Sequence, residues 1–346
     1  MGPRAQLEGL PRRLALVGAT RRAVLRTVLP LIASAAVGRM ATAAGTPAPD
    51  FPTRPVRLIV NFPAGSGTAD TVARALCEYF TRKWGQPITV DNVPGSTGVV
   101  GAATAYGAAP DGYTLLVTPA GALTIAPHLQ KLDYDPDRFV PITMLETSPI
   151  VLVASQHLPA NNMAELIAYP RAHPGKLSVA NHGIGSSSQL AAEWLASMAH
   201  IQIFGVPFRG SVAALQGLGD GRVDILFDNL GSSLQPIRNG EVKALAVASA
   251  KPEPLLPNVP TIAQTLPGFT TSSWVALVAP PNTSPSLVQW LSEQFADALR
   301  QPQLEKTLAD LACEPGGWTP QATAAFIREE SERWKSVIRE AKITLQ

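Results

Sequence analysis

A chain of 346 residues with 46% hydrophobic side chains and two cysteines has the composition of a globular protein large enough for two cores. Its 28 basic and 26 acidic residues are unevenly placed: residues 1–43 hold seven arginines and one glutamate, leaving 21 basic against 25 acidic residues, a net charge of −4, in the rest. No basic stripe interleaved with aromatics is present, which excludes nucleic-acid recognition, and the five histidines lack cysteine or carboxylate neighbours at metal-ligand spacing.

Residues 1–43 read as a cleavable signal peptide. Arg12 and Arg13 precede Thr20-Arg21-Arg22-Ala23-Val24-Leu25-Arg26, which matches the twin-arginine export pattern. An apolar run from Val24 to Val37 follows, too short to span a bilayer comfortably, and Ala41-Thr42-Ala43 offers the small residues a signal peptidase needs. The expected product is a soluble periplasmic protein. In that compartment Cys77 and Cys313 either pair or remain buried free thiols.

Val56 to Phe62 predicts a strand covered on both faces. A Gly/Ser-rich loop then leads into a helix with the apolar stripe Ala73, Leu76, Cys77, Phe80 and Trp84, and Asp70 stands where its carboxylate can serve the first turn. A strand from Pro87 to Val90, a helix from Val99 to Ala108 and a strand from Tyr113 to Thr118 complete a βαβαβ unit. Ile150 to Ala154 is another strand. Beyond it the alternation resumes: Leu177 to Asn181, a helix carrying Leu190, Trp194, Leu195 and Met198, and strands at Ile203–Phe208, Val223–Phe227 and Ala244–Ala248. Ser273 to Ala279 is again β-rich, and Ser284-Pro285 and Thr319-Pro320 each supply a cap and a first-turn proline for the closing helices. The pattern predicts an α/β protein of two lobes, residues 44–153 with 273–346 and residues 154–272. Crossing strands near 150–155 and 272–279 would form a hinge for rigid-body closure.

Three glycine- or serine-rich loops, Pro63–Asp70, Asn92–Gly98 and Gly183–Gln189, each follow a strand and precede a helix. Ligands of open parallel sheets sit beyond such strand ends, where backbone amides and helix N-termini favour an anion. Ser66, Thr68, Ser186, Ser187 and Ser188 add hydroxyl donors, so a carboxylate is the expected ligand. Gly65-Ser66-Gly67 lacks the third glycine of a dinucleotide fingerprint, since Asp70 stands there, and neither loop has the Gly-x-Ser-x-Gly spacing of a hydrolase elbow. No cofactor is expected.

At these loops the chain resembles the Bug family, extracytoplasmic receptors of tripartite tricarboxylate transporters. The resemblance rests on Arg54–Val60, on Phe62-Pro63-Ala64-Gly65 with Asp70, Ala73 and Arg74, and on Gly85–Gly95, Pro110–Leu116, Val206–Gly210, Leu256–Thr261 and Pro267-Gly268-Phe269. It implies a type II periplasmic-binding-protein fold that holds a carboxylate between its lobes largely through amides and ordered water. Carried over residue by residue, the first-lobe ligand contacts are Phe62, Pro63, Ala64, Gly65, Thr68 and Asp70, and the second-lobe contacts are Ser186, Ser187, Gly210 and Asp228. Arg209 is either a further ligand partner or a solvated strand-end arginine. The chain departs from the family in a longer Gly65–Asp70 loop, in Asn92-Val93-Pro94 where Asn-Arg-Pro is common, and in Gln189 where histidine is common. The resemblance implies integral-membrane permease subunits as partners. A sensor presenting its closed form to a regulatory kinase ectodomain would use the same cleft, and an exported α/β hydrolase would depend on Ser186 or Ser187.

Overall fold

The computed structural model describes residues 51–344 apart from Ile184, so the signal-peptide reading lies outside the described residues. In chain order the first elements are β1 (Val56–Val60), α1 (Thr68–Trp84), β2 (Ile88–Asn92), α2 (Val99–Tyr106) and β3 (Thr114–Pro119). A π-helical turn, Gly121–Ile125, and α3 (Ala126–Leu129) then lead to β4 (Val140–Ser155). The middle of the chain forms α4 (Met163–Ala172), β5 (Ser178–Asn181), α5 (Ser187–Ala199), β6 (Phe204–Pro207), α6 (Ser211–Gly219), β7 (Ile225–Asn229), α7 (Leu230–Arg238) and β8 (Val242–Val247). It closes with β9 (Ser272–Ala279), α8 (Pro285–Leu299), α9 (Pro302–Asp310), β10 (Glu314–Pro315) and α10 (Pro320–Glu340).

The sheet runs β2-β1-β3-β9-β4-β7-β5-β6, with β8 and β10 also on β4. β1 is parallel to β2 and β3, and β5 is parallel to β6 and β7, as the two βα alternations require. β4 joins the two halves. Its residues Val140–Pro149 pair antiparallel with β9, and Ile150–Ala154 pair with β7. The sequence predicts only the second half of this strand as a crossing; the structure extends it back through Pro149 and Pro141. Pro141 stands at a register shift, and Pro149 is the last residue to pair with β9 before the strand changes partners. Both are places where a residue without an N–H is tolerated in a sheet.

Helices cover both faces of each half. Leu58 and Val60 of β1 pack with Leu76 and Phe80 of α1 and with Phe295 and Leu299 of α8, so the first lobe needs both ends of the chain. α1 stops at Gly85, whose left-handed φ of 66° lets its N–H reach the Thr81 carbonyl. Ser284 Oγ and Thr319 Oγ1 accept from Leu287 N and Ala322 N, so both expected caps form. Trp194 of α5 meets Trp334 of α10 at 6.4 Å between ring centroids and ties the second lobe to the first.

Cys77 and Cys313 are free and buried. Burial pushes the Cys77 thiol up to about 12, and burial together with Glu146 beside it pushes Cys313 up as well. Because the thiolate is the nucleophile, neither should react promptly with a disulfide reagent in the native protein. Both should be titrated once the chain is unfolded. A fast native-state thiol would contradict this burial.

Candidate ligand-binding cleft

A cavity of about 640 Å³ opens where loops from both lobes meet beyond the carboxyl ends of the strands. From the first lobe come Phe62, Pro63 and Ser66–Ala69 after β1, Pro94–Gly98 after β2, and Pro119 and Gly121 after β3. The second lobe supplies His182, Gly183, Ser186 and Ser187 after β5, Phe208, Arg209 and Gly210 after β6, and Asn229 after β7. Ser273 and Val275 of β9 complete the lining. The first turns of α1 and α5 and the N-cap of α6 therefore belong to the wall. Their amides have no partner within the helix and carry the positive end of its dipole.

Asp70 holds the first-lobe loops. It is 3% exposed and accepts from Gly65 N (2.8 Å), from Arg74 Nε (2.9 Å) and Nη2 (3.0 Å), and from Asn92 Nδ2 (2.8 Å). Asn92 also donates to the Phe62 carbonyl and accepts from Arg74 Nη2, so one carboxylate latches the loop after β1 to the end of β2. Burial alone would raise the Asp70 pKa; the bonds from Arg74, Asn92 and the Gly65 amide outweigh it and hold the carboxyl below its ordinary range.

Asn61 fixes the floor. Its Nδ2 donates to Gly98 O at 3.1 Å and to Thr118 Oγ1 at 2.8 Å, joining the ends of β1 and β3 to the loop before α2. A Cβ on Gly98 would lie 2.4 Å from that nitrogen, and Gly98 has φ +92°, so only glycine fits. At the rim Ser96 and Thr97 both have left-handed φ, 45° and 53°, a strained conformation of the kind that collects at ligand sites.

In the second lobe Ser186 caps α5 by accepting from Gln189 N (3.3 Å), while Gln189 Oε1 accepts from Gly185 N (2.7 Å). This is a capping-box arrangement displaced by one residue. It gives Gln189 a loop-closing task and leaves Ser186 committed to the helix. Asp228, 2% exposed, accepts at Oδ2 from Ser211 Oγ (2.6 Å) and Ser233 Oγ (2.8 Å). His182 Nε2 lies 3.2 Å from Asp228 Oδ1, with its ring in the cavity wall. The two lips approach at Gly210, where a Cβ would stand 3.6 Å from Ser66 O.

Of the residues singled out from sequence, Phe62, Pro63, Thr68, Ser186, Ser187 and Gly210 line the cavity. Ala64 and Gly65 are exposed and outside it, while Asp70 and Asp228 are buried behind its wall, where they hold loops in place. Ser188 is buried and donates to the Phe227 carbonyl. Sequence reasoning did not single out Asn61, His182, Asn229, Ser273 or Val275. His182 could have been noticed immediately before a loop already marked; nothing local distinguishes Asn61. Arg209 and His182 are the ionisable side chains in the described lining, which contains no acidic one.

The family model described as "Tripartite tricarboxylate transporter family receptor" matches residues 72–343. The chain belongs to this receptor family. Relatives include BugT of Bordetella pertussis, 33% identical over 90% of this chain and 98% of its own length. A UPF0065 protein from the tcbD-tcbE intergenic region of Pseudomonas sp. strain P51 is 36% identical over 85% of this chain and 88% of its own length. Among solved structures, R. palustris Rpa4515 with adipate is similar at TM-score 0.79 and 33% identity, covering 85% of this chain and 99% of that one. MatC of Rhodopseudomonas palustris with bound malate is similar at 0.76 and 35%, covering 83% and 100%. The two lobes and crossing strands are thus the type II periplasmic-binding-protein fold of Bug receptors.

Proposed function

We propose that this receptor captures a small carboxylate in the periplasm and delivers it to integral-membrane permease subunits of a tripartite tricarboxylate-type transporter. The observation that carries this reading is the cleft's polarity. Helix-start amides from both lobes and two basic side chains, Arg209 and His182, meet a wall with no acidic side chain, which favours an anion and disfavours a cation. The relatives bound to adipate and malate supply the chemical class. Phe62, Pro63, Pro119 and Phe208 leave room for an apolar body between polar ends. The site captures and releases without turnover, and Ser186 Oγ serves as a helix cap.

A thermal-shift screen of the purified protein against mono-, di- and tricarboxylates, amino acids and neutral amides tests the reading. A ligand of the folded state at a hundred times its dissociation constant stabilises by about 2.7 kcal/mol. At least one acid should raise the midpoint, and Arg209→Ala should weaken it about tenfold, the usual scale for losing one charged hydrogen bond. A flat profile across all acids would remove the carboxylate assignment. Loss of uptake of the identified acid on deleting the permease genes tests the delivery step.

A further inference from the structure

Glu146 is fully buried in the crossing strand β4, at the register shift after Met144. Val275 of β9 pairs on one side of it and Pro315 of β10 on the other. Val275 lines the cavity, and so does Thr68, whose Oγ1 donates to Glu146 Oε1 at 2.9 Å across 78 residues of sequence. The other groups against the carboxyl are the Cys313 thiol and the Ser148 hydroxyl. Among the described residues no ion pair includes Glu146, unlike Asp70 with Arg74.

A buried carboxylate without a cation is disfavoured, so burial pushes the acid up; the bond from Thr68 and the neighbouring Cys313 and Ser148 side chains oppose this only in part. Oε1 accepts from Thr68, and a neutral acid has in addition an O–H to offer at Oε2. Thr68 is the first residue of α1, and Gly67 before it gives no side-chain cap. The helix start at the ligand wall is therefore fastened from behind, onto the strand that both lobes share.

We propose that Glu146 is a positioning residue for the cleft: without touching ligand, it fixes the Thr68 hydroxyl and the opening turn of α1 to the crossing strand and so sets ligand affinity. The proposal rests on the cleft reading above and adds to it a residue outside the cavity. Glutamine should serve in its place, since the amide reproduces both an acceptor and a donor, whereas alanine leaves Thr68 Oγ1 without its partner.

The test uses Glu146→Gln, Glu146→Ala, Thr68→Val and the Ala/Val double variant in the whole protein, with adipate and malate as probes. Glu146→Gln should bind within about threefold of the native protein; Glu146→Ala and Thr68→Val should each weaken binding about tenfold, and the double variant no further, because they break one interaction. Amide exchange at residues 67–71, measured without ligand, should quicken in Glu146→Ala and return to native rates in Glu146→Gln. As pH rises above the ordinary 4.5, the fold keeps a proton that the unfolded chain releases, so the native protein should lose stability relative to Glu146→Gln. Additive losses, native affinity in a folded Glu146→Ala, or unchanged exchange would overturn the proposal. If the native protein binds neither acid, the ligand assignment fails, while the exchange and pH arms still decide whether Glu146 anchors the loop.

Discussion

Asp70→Ala is expected to destabilise the protein by roughly 3 kcal/mol at neutral pH, the upper end for hydrogen bonds to a charged group. The magnitude comes from what is left behind. The Gly65 amide and Asn92 Nδ2 lose a nearly buried acceptor, and the loops after β1 and β2 lose their common latch. The Arg74 ion pair adds little, since that side chain is half exposed and water can replace its partner. Ligand affinity should fall as well, because Phe62 and the first turn of α1 are set by this latch. Asp70→Asn separates charge from shape. With its carboxyl held below the ordinary 3.8, Asp70 contributes stability that is present above that value and lost as pH falls through the lower folded one. The gap between native and Asp70→Asn proteins in urea unfolding should thus be full at pH 7 and shrink in acid. A gap independent of pH would show that the hydrogen bonds do not depend on ionisation.

The second large effect is expected at Gly231, the second residue of α7. A Cβ there would lie 1.9 Å from the Leu311 carbonyl oxygen and 2.5 Å from its carbon, backbone against backbone, with no flexible side chain to yield. Gly231→Ala must separate α7 from the end of α9, at a cost of about 3 kcal/mol, the top of the usual overpacking range. Because α7 packs in the core with Val151 and Leu226 while Leu311 packs in the core with Leu76 and Phe295, the added methyl also alters how the two cores meet. Ligand affinity should shift together with the unfolding midpoint. A native midpoint in the alanine variant would show that this contact is looser than the backbone positions imply.

Asp70 and Glu146 illustrate what can be read along a chain. Asp70 was legible as important, since a carboxylate beside a helix start has a local reason to be there, and the βα alternation and both Pro-led helix starts follow from local pattern. The part Asp70 plays was not legible, because its partner Asn92 lies 22 residues away on another strand. Glu146 is harder still. An isolated glutamate between Leu145 and Thr147 gives no sign that Thr68 and Cys313 will close over it. His182 and Asp228, 46 residues apart, likewise become neighbours only when β5 and β7 align. The length of β4 was hidden by prolines whose tolerance depends on a bulge and a change of partner strand. Local periodicity reports which face of an element is apolar; it does not report which distant polar group will meet it.

The shared strand also bears on the order in which the molecule can be made. β5, α5, β6, α6 and β7 lie within one stretch of about fifty residues, so most of the second core closes over short chain loops. β1 and α1 cannot complete theirs until Phe295 and Leu299 arrive more than two hundred residues later. During synthesis the first half of the sheet waits with apolar strands uncovered while the second is already closed. Non-local pairing of this kind is slow and exposed to aggregation. The same continuity that joins the two halves through one strand makes the earliest-synthesised strands the last to be sheltered.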